Sequence, residues 1–198
     1  NSTYSVIYNP IEFADMAAHW AKSSVNNMGA RLVVTGTGGG NYEPDSLITR
    51  AQFAAIVVRA LGLTPGTDDS SFDDVKPGDW YCGYVETAIR YGIITGYGNG
   101  NFGPNDKITR EQAMLMISRA MKITGLDAAL TDSEAAELLK GFADAGDVPG
   151  YAAAQIAACL KTGVITGRDG SRIAPKDTIT RAEVAVIVER LLQKSGLI

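Results

Sequence analysis

The chain has 198 residues, 45% of them hydrophobic, with 18 Lys and Arg against 22 Asp and Glu and a formal net charge of −4. That is enough chain and enough apolar surface to bury a core, as one domain or two small ones, and no run nears the roughly 20 apolar residues of a membrane span. A sequence pI near 5.0 denies the chain the basic field that nucleic-acid binding needs, so no nucleic-acid partner is expected.

Residues 1–12 read as a lead-in. Asn1-Ser2-Thr3-Tyr4 lacks a basic region followed by an apolar one, so the start is expected to be a mature or trimmed end rather than a signal peptide. Phe13-Ala14-Asp15 then opens a unit spanning 13–62. Asp15 is placed to cap a helix predicted from Met16 or Ala17 to near Met28. Gly29 offers that helix an early stop, since Leu32 stands where later units have Gly92 and Gly163, residues suited to a positive-φ helix end. Gly36-Thr37-Gly38-Gly39-Gly40 has no Lys-Ser/Thr ending and reads as a turn-rich loop, not a phosphate cradle. A second helix starts at Thr49 and ends near Gly62. Opening with a short linker at 63–71, the second unit spans 63–123. There Trp80, Tyr81 and Tyr84 cluster at the start of a helix, and Gly96 to Phe102 form a loop. Residues 124–141 form a connector, whose Thr131-Asp132-Ser133-Glu134 signals a short extra helix to about Lys140. A last unit, 142–198, follows, and the units together are expected to make one compact domain.

The units repeat. Ile48-Thr49-Arg50, Ile108-Thr109-Arg110 and Ile179-Thr180-Arg181 share one tripeptide, and Gln52, Gln112 and Glu183 stand three residues after each Thr. This is a capping box: the Thr hydroxyl accepts from the backbone N–H three residues on, and the Gln or Glu reaches back. An apolar stripe follows each box: Phe53, Ile56, Val57, Ala60 and Leu61; Ala113, Met116, Ile117, Ala120 and Met121; Val184, Ile187, Val188, Leu191 and Leu192. Each marks an amphipathic helix. Pro44, Pro104 and Pro175 keep the same spacing, as do Gly36, Gly96 and Gly167. Upstream, Phe13-x-Asp15, Phe72-x-Asp74 and Phe142-x-Asp144 each precede an aromatic, Trp20, Trp80 or Tyr151.

A cation in the first turn of a helix gains nothing from the dipole. Arg50, Arg110 and Arg181 therefore need another reason, either a structural pairing or a shared anion site in which helix-start N–H groups and a guanidinium fork aim at one ligand. A second arginine recurs nine residues later, Arg59, Arg119 and Arg190. It lies late in the helix, where a cation suits the dipole, and is read as structural. Asp15, Asp74 and Asp144 can cap helices or accept from sugar hydroxyls. Trp20, Trp80 and Tyr151 can stack on sugar faces or wedge between helices. His19, the one histidine, reads as a surface residue, and Cys82 and Cys159 as small buried hydrophobes in apolar helices.

The carrying residues of the second unit are Phe72-Asp73-Asp74, Trp80, Tyr91 to Gly96, Phe102-Gly103-Pro104 and Ile108 to Gln112. With their counterparts on either side, they resemble three tandem S-layer homology motifs over about residues 13–195. The resemblance implies an all-α, pseudo-threefold fold with a central three-helix bundle, three prongs and glycine-rich loops. It also implies binding grooves between repeats. The implied function is non-covalent anchoring of a larger surface protein to an anionic cell-wall polysaccharide, typically one with pyruvate ketals on N-acetylmannosamine, outside the cell at the wall or surface layer. On that reading the ligand-binding residues are Asp15, Trp20, Arg50, Asp74, Trp80, Gly96, Tyr97, Gly98, Arg110, Asp144, Tyr151 and Arg181. Fewer than three strong grooves are expected, because the first unit has Leu32 where the others have Gly92 and Gly163, and the third has Arg168 where the second has Tyr97 and Ile173 where it has Phe102.

The alternatives are a protein-interaction or lattice module, binding of a differently decorated peptidoglycan, and a glycosidase. The last needs two carboxylates facing one bond, whereas these acids recur at helix starts as scaffold or binding residues do. No nucleophilic triad, metal-ligand spacing, cofactor or membrane insertion is expected. On this reading Arg110→Ala weakens polymer binding more than Arg119→Ala.

Overall fold

The computed structural model describes residues 9–67, 70–126 and 128–198. The lead-in expected at 1–12 therefore falls mostly outside the described residues, as do parts of the 63–71 linker and the 124–141 connector. Among the described residues the secondary structure is helical: α1 (Lys22–Ala30), α2 (Arg50–Ala60), α3 (Cys82–Arg90), α4 (Arg110–Ile123), α5 (Asp132–Leu139), α6 (Ala153–Thr162) and α7 (Arg181–Lys194). Short 3-10 turns lie at Ala14–Met16, Ala145–Asp147 and Gly150–Ala152. Extended chain occurs there only as isolated bridges. The chain is all-α, and none of its described helices is long and apolar enough to cross a membrane.

Thr49, Thr109 and Thr180 are the N-caps of α2, α4 and α7, each with both halves of its capping box formed. Thr131 does the same for α5 with Glu134. Such a cap contributes about 1 kcal/mol. The stripes on α4 and α7 are buried throughout, and on α2 Phe53, Ile56 and Val57 are buried. Burial reaches beyond the stripes to Ala54, Ala55, Val58, Met114 and Ala185, because these helices are packed from more than one side. Against each sits the first helix of the following repeat: α3 on α2, α6 on α4, and α1 back on α7, while α5 covers α6. Cys82 and Cys159 are fully buried among these contacts. Burial pushes the Cys159 thiol up to about 12, which leaves it unreactive.

The helix starts are tied in a closed ring. The Ile48 N–H donates to Ile179 O at 3.2 Å, Ile108 to Ile48 at 3.2 Å, and Ile179 to Ile108 at 3.3 Å. The next free donors cross between repeats as well. Arg50 and Ala51 donate to Asp106 and Pro104 at 3.0 and 3.1 Å; Arg110 and Glu111 to Asp177 and Pro175 at 2.8 and 2.9 Å; Arg181 and Ala182 to Ser46 and Pro44 at 3.0 and 2.9 Å. This accounts for the fixed spacing from Pro to Thr. It also corrects one expectation: these helix-start N–H groups, which a free helix end would leave without partners, are consumed by the ring and do not aim at a ligand.

The first helix begins later than its apolar pattern suggests. Asp15, at the predicted start, spends its carboxylate on the N–H groups of Tyr42 and Glu43 and caps nothing. Residues 17–21 wind as successive turns, with His19 N–H donating to Met16 O and Lys22 N–H to His19 O, before the first α-type bond from Val25 to Ala21. His19 is half-buried rather than a plain surface residue. Its Nδ1 accepts from Ala21 N–H at 3.2 Å, and Nε2 lies 3.3 Å from Asp45. The helix does not stop at Gly29, whose missing Cβ instead makes room for Ile11 and Phe13. It ends in register with the others, Leu32 adopting φ 61° where Gly92 and Gly163 adopt 66° and 69°. A left-handed conformation costs a non-glycine residue about 1 kcal/mol, and Leu32 is 69% exposed, so little packing is lost on its removal. Leu32→Gly is expected to raise the thermal midpoint by roughly 2–4 °C, as read by calorimetry; an unchanged or lower midpoint would mean that the side chain outweighs the strain.

Candidate functional site

The three repeated arginines are buried, with 5%, 4% and 8% of Arg50, Arg110 and Arg181 exposed. Each side chain crosses to the loop of the next repeat and donates to two carbonyls. Arg50 Nε reaches Phe102 O at 2.9 Å and Nη2 reaches Thr95 O at 3.5 Å. Arg110 reaches Ile173 O and Thr166 O at 2.9 and 3.2 Å, and Arg181 reaches Tyr42 O and Thr35 O at 2.8 and 2.7 Å. Arg50 also lies 4.5 Å from the Tyr97 ring centre and 4.8 Å from Phe102, and Arg181 lies 4.5 Å from Tyr42. Burial pulls Arg50 and Arg110 below the ordinary arginine value, yet arginine starts so high that both remain cationic. The guanidiniums are thus bonded to scaffold, and still each forms one wall of a cleft.

The three aspartates go elsewhere. Asp15 accepts from the N–H groups of Tyr42 and Glu43, Asp74 from Phe102 and Gly103, and Asp144 from Ile173 and Ala174, all at 2.7–3.1 Å. Burial raises the Asp15 and Asp144 carboxyls, but the backbone donors together outweigh it and hold both below the usual aspartate value. The helix-capping expectation for Asp15 is corrected, since α1 begins only at Lys22, with Ala21 at its N-cap position and no side-chain cap. All three instead pin the far end of their own repeat's loop, and none is among the residues lining the clefts described next. Gly98 likewise lies outside them. Gly96 lines one, and its lack of a Cβ is enforced by Phe72 and Asn101 O, which a Cβ would meet at 2.4 and 2.6 Å. Gly36 and Gly167 face Phe13 and Phe142 in the same way.

Three grooves follow from this packing, each assembled from three repeats. The first takes Val34 to Thr37 and Gln52, Ala55, Ile56 and Arg59 from repeat one, Trp80 from repeat two and Arg181 from repeat three. The second takes Ile94 to Tyr97, Gln112, Leu115, Met116 and Arg119 from repeat two, Tyr151 from repeat three and Arg50 from repeat one. The third takes Ile165 to Arg168, Glu183, Val186, Ile187 and Arg190 from repeat three, Trp20 from repeat one and Arg110 from repeat two. Their volumes are about 350, 340 and 160 Å³. The aromatics stand open, Trp20 at 66%, Trp80 at 57% and Tyr151 at 67% exposure, and so are not core wedges. In the second groove Tyr replaces Trp, and Glu111 holds it. The Tyr151 hydroxyl donates to Glu111 at 3.2 Å, and Lys176 fixes the other oxygen at 2.8 Å. Tyr97 is braced in turn by donating to Asp106 at 2.9 Å.

The arginines read as structural from the sequence, Arg59, Arg119 and Arg190, line these grooves. Their side chains are half-buried, with single bonds to Tyr84 at 3.1 Å, Ile93 O at 3.3 Å and Thr166 at 3.3 Å. Their recurrence at one spacing was a signal equal to that of the first arginines; the dipole argument obscured it. Each groove therefore pairs a buried arginine from one repeat with a more open one from another. Arg110 and Arg119 belong to different grooves, so the partner of Arg110 is Arg190.

A family model described as S-layer homology domain matches residues 12–54, 71–114 and 141–185. The chain is 35% identical over 196 residues to the Amylopullulanase of Thermoanaerobacterium thermosulfurigenes, covering 98% of this chain and 10% of that protein. It is 35% identical over 192 residues to Exoglucanase XynX of Acetivibrio thermocellus, covering 96% and 17%. It is 30% identical over 186 residues to an S-layer protein of Bacillus thuringiensis subsp. finitimus, covering 93% and 22%. The chain thus spans only about a tenth to a fifth of the length of these relatives. The matched stretches coincide with the repeated Phe-x-Asp, Gly, Pro and Ile-Thr-Arg landmarks that build the ring and the grooves, and the chain belongs to the S-layer homology domain family.

Proposed function

We propose that this chain is a non-enzymatic anchor, holding a larger surface protein to an anionic bacterial cell-wall polysaccharide by binding its pyruvylated N-acetylmannosamine in the inter-repeat grooves. The observation that carries this is the recurrence in every groove of an open aromatic, a buried arginine and a half-buried arginine drawn from different repeats. The ring stacks on the C–H face of a sugar, and the arginines supply a cationic pocket on a protein of net charge −4. Arg50, Arg110 and Arg181 contribute fixed positive potential, and Arg59, Arg119 and Arg190 the more accessible donors. Asp15, Asp74, Asp144 and Gly98 act through the loop they hold rather than by touching the sugar. The ring of helix starts and the cyclic pairing of first and second helices support a central bundle of α2, α4 and α7 with three prongs.

The relatives include proteins named as polysaccharide-degrading enzymes and as surface-layer proteins, with this chain matching a small share of each. One anchoring module attached to different partners accounts for that pattern. Outside the cell, at the wall, is the location that follows. Co-sedimentation with purified wall sacculi tests the reading. Retention is expected on pyruvylated sacculi and lost after mild-acid removal of the ketal; equal retention on both would rule out the ketal as the recognised group.

A further inference from the structure

An asparagine can lose its side-chain amide when the backbone nitrogen that follows it is free to attack. The fold closes that route at nearly every described asparagine. Pro10 gives Asn9 no N–H at all. The N–H groups after Asn26 and Asn27 lie inside α1, where they are bonded along the helix. Tyr42 N–H, after Asn41, donates to Asp15 at 2.9 Å, and Phe102 N–H, after Asn101, donates to Asp74 at 2.8 Å. Asp106 N–H, after Asn105, donates to Gly103 O at 3.2 Å. Gly100 N–H, after Asn99, finds no acceptor among the described residues, and both residues of that pair are exposed. The loop also brings the reacting groups together. Asn99 Oδ1 accepts from Asn101 N–H at 3.2 Å, which folds the side chain over the 99–100 peptide and polarises its carbonyl. Gly100 holds φ 87°, and a Cβ there would stand 2.6 Å from Asp73 Oδ2, so the fold keeps this nitrogen unshielded. The first and third repeats carry Gly39-Gly40 and Gly170-Ser171 at the same place.

We infer that Asn99-Gly100 is a self-modification site, at which the loop of the second repeat deamidates and isomerises without an enzyme. Gly100 N attacks Asn99 Cγ. A bond forms between them, the bond from Cγ to the side-chain nitrogen breaks, and the Gly100 proton leaves with that nitrogen as ammonia. Water then opens the five-membered imide at either carbonyl, giving aspartate or isoaspartate, with nothing oxidised or reduced. Isoaspartate routes the main chain through the former side chain and lengthens it by one methylene. That breaks the turn held by Tyr97 N–H to Asn101 O and by Asp73 N–H to Gly100 O, both at 2.9 Å. Either product also sets a new carboxylate beside Asp73. The modification loosens the loop that ties down the start of the second repeat, whatever the chain binds.

The full chain, folded, is incubated in mildly alkaline heavy-oxygen water, digested, and read by mass spectrometry with electron-transfer fragmentation, which tells isoaspartate from aspartate. Residue 99 is expected to take up heavy oxygen and give both products. It should do so roughly tenfold or more faster than Asn41, Asn101 or Asn105, where the attacking N–H must first give up a hydrogen bond. Over the same incubation the thermal midpoint of the parent is expected to fall in step with its isoaspartate content, while that of an Asn99→Ser protein holds. An intact residue 99 in the folded chain, after a urea-unfolded sample has converted there, would overturn the inference, because the loop would then hold the amide away from the nitrogen. Equal conversion at Asn41, Asn101 or Asn105 in the folded chain would overturn the selection by hydrogen bonding. A midpoint that ignores the isoaspartate content would overturn the loosening of the loop.

Discussion

Replacing Arg50 with Ala is expected to destabilise the fold by about 3 kcal/mol, from one buried and one part-buried carbonyl left without a donor and lost contacts to two aromatic faces. In a chain of this size that lowers the thermal midpoint by roughly 6–12 °C. The side chain is 5% exposed, donates to Phe102 O and Thr95 O, and is stacked by Tyr97 and Phe102. Arg50→Lys should lose nearly as much, because an ammonium cannot span both carbonyls as a planar fork does. Arg119→Gln, in the same groove, is half-buried with one bond to Ile93 O at 3.3 Å and should shift the midpoint only slightly. A circular-dichroism melt separates the two, and an Arg50→Ala protein melting within 2 °C of the parent would show that the carbonyls find other donors. The expectation that Arg110→Ala weakens binding more than Arg119→Ala changes accordingly. Arg110 and Arg119 line different grooves, and the loss at Arg110 would be read first as instability.

The repeat, the capping boxes at Thr49, Thr109, Thr131 and Thr180, and the apolar stripes were legible because each is local: cap and stripe reside within one helix and depend on nearest neighbours. The site was legible only in part, because it is assembled across repeats. Nothing in the spacing of Trp80 and Arg181 says that they share a groove; that follows from α3 packing on α2 while the α7 start closes the ring. The dipole rule correctly denied Arg50, Arg110 and Arg181 a role in stabilising their own helices, but the carbonyls they satisfy lie some 45 to 146 residues away in sequence. The same rule misdirected the reading of Arg59, Arg119 and Arg190, whose position late in a helix explains why they are tolerated and not what they face. The aspartates read as caps because an acid before a helix usually is one. Asp15 instead holds Glu43 at φ 58° and Asp144 holds Ala174 at φ 53°, conformations that a local pattern does not announce.

The triple variant Arg59→Gln/Arg119→Gln/Arg190→Gln is expected to abolish retention on wall polymer while the protein stays folded. Each arginine can give one charge-assisted contact to a ketal carboxylate, about 1.5–3 kcal/mol, or roughly tenfold to a hundredfold in affinity for a single groove. A polymer that engages two grooves on one chain binds with an avidity above either site, so the losses compound instead of averaging. Each single variant should therefore weaken retention measurably, and the triple variant by roughly a thousandfold or more. The remaining stacking on Trp20, Trp80 and Tyr151 cannot compensate, because an aromatic face recognises the sugar ring without regard to its charge. Salt supplies an independent check. At about 1 M ionic strength the screening length falls to about 3 Å, so the parent protein should lose much of its retention, while a Trp80→Ala protein should show a similar proportional loss from a lower starting point. If the triple variant binds like the parent in low salt, the half-buried arginines are not the donors, and the anion is held by the buried set alone.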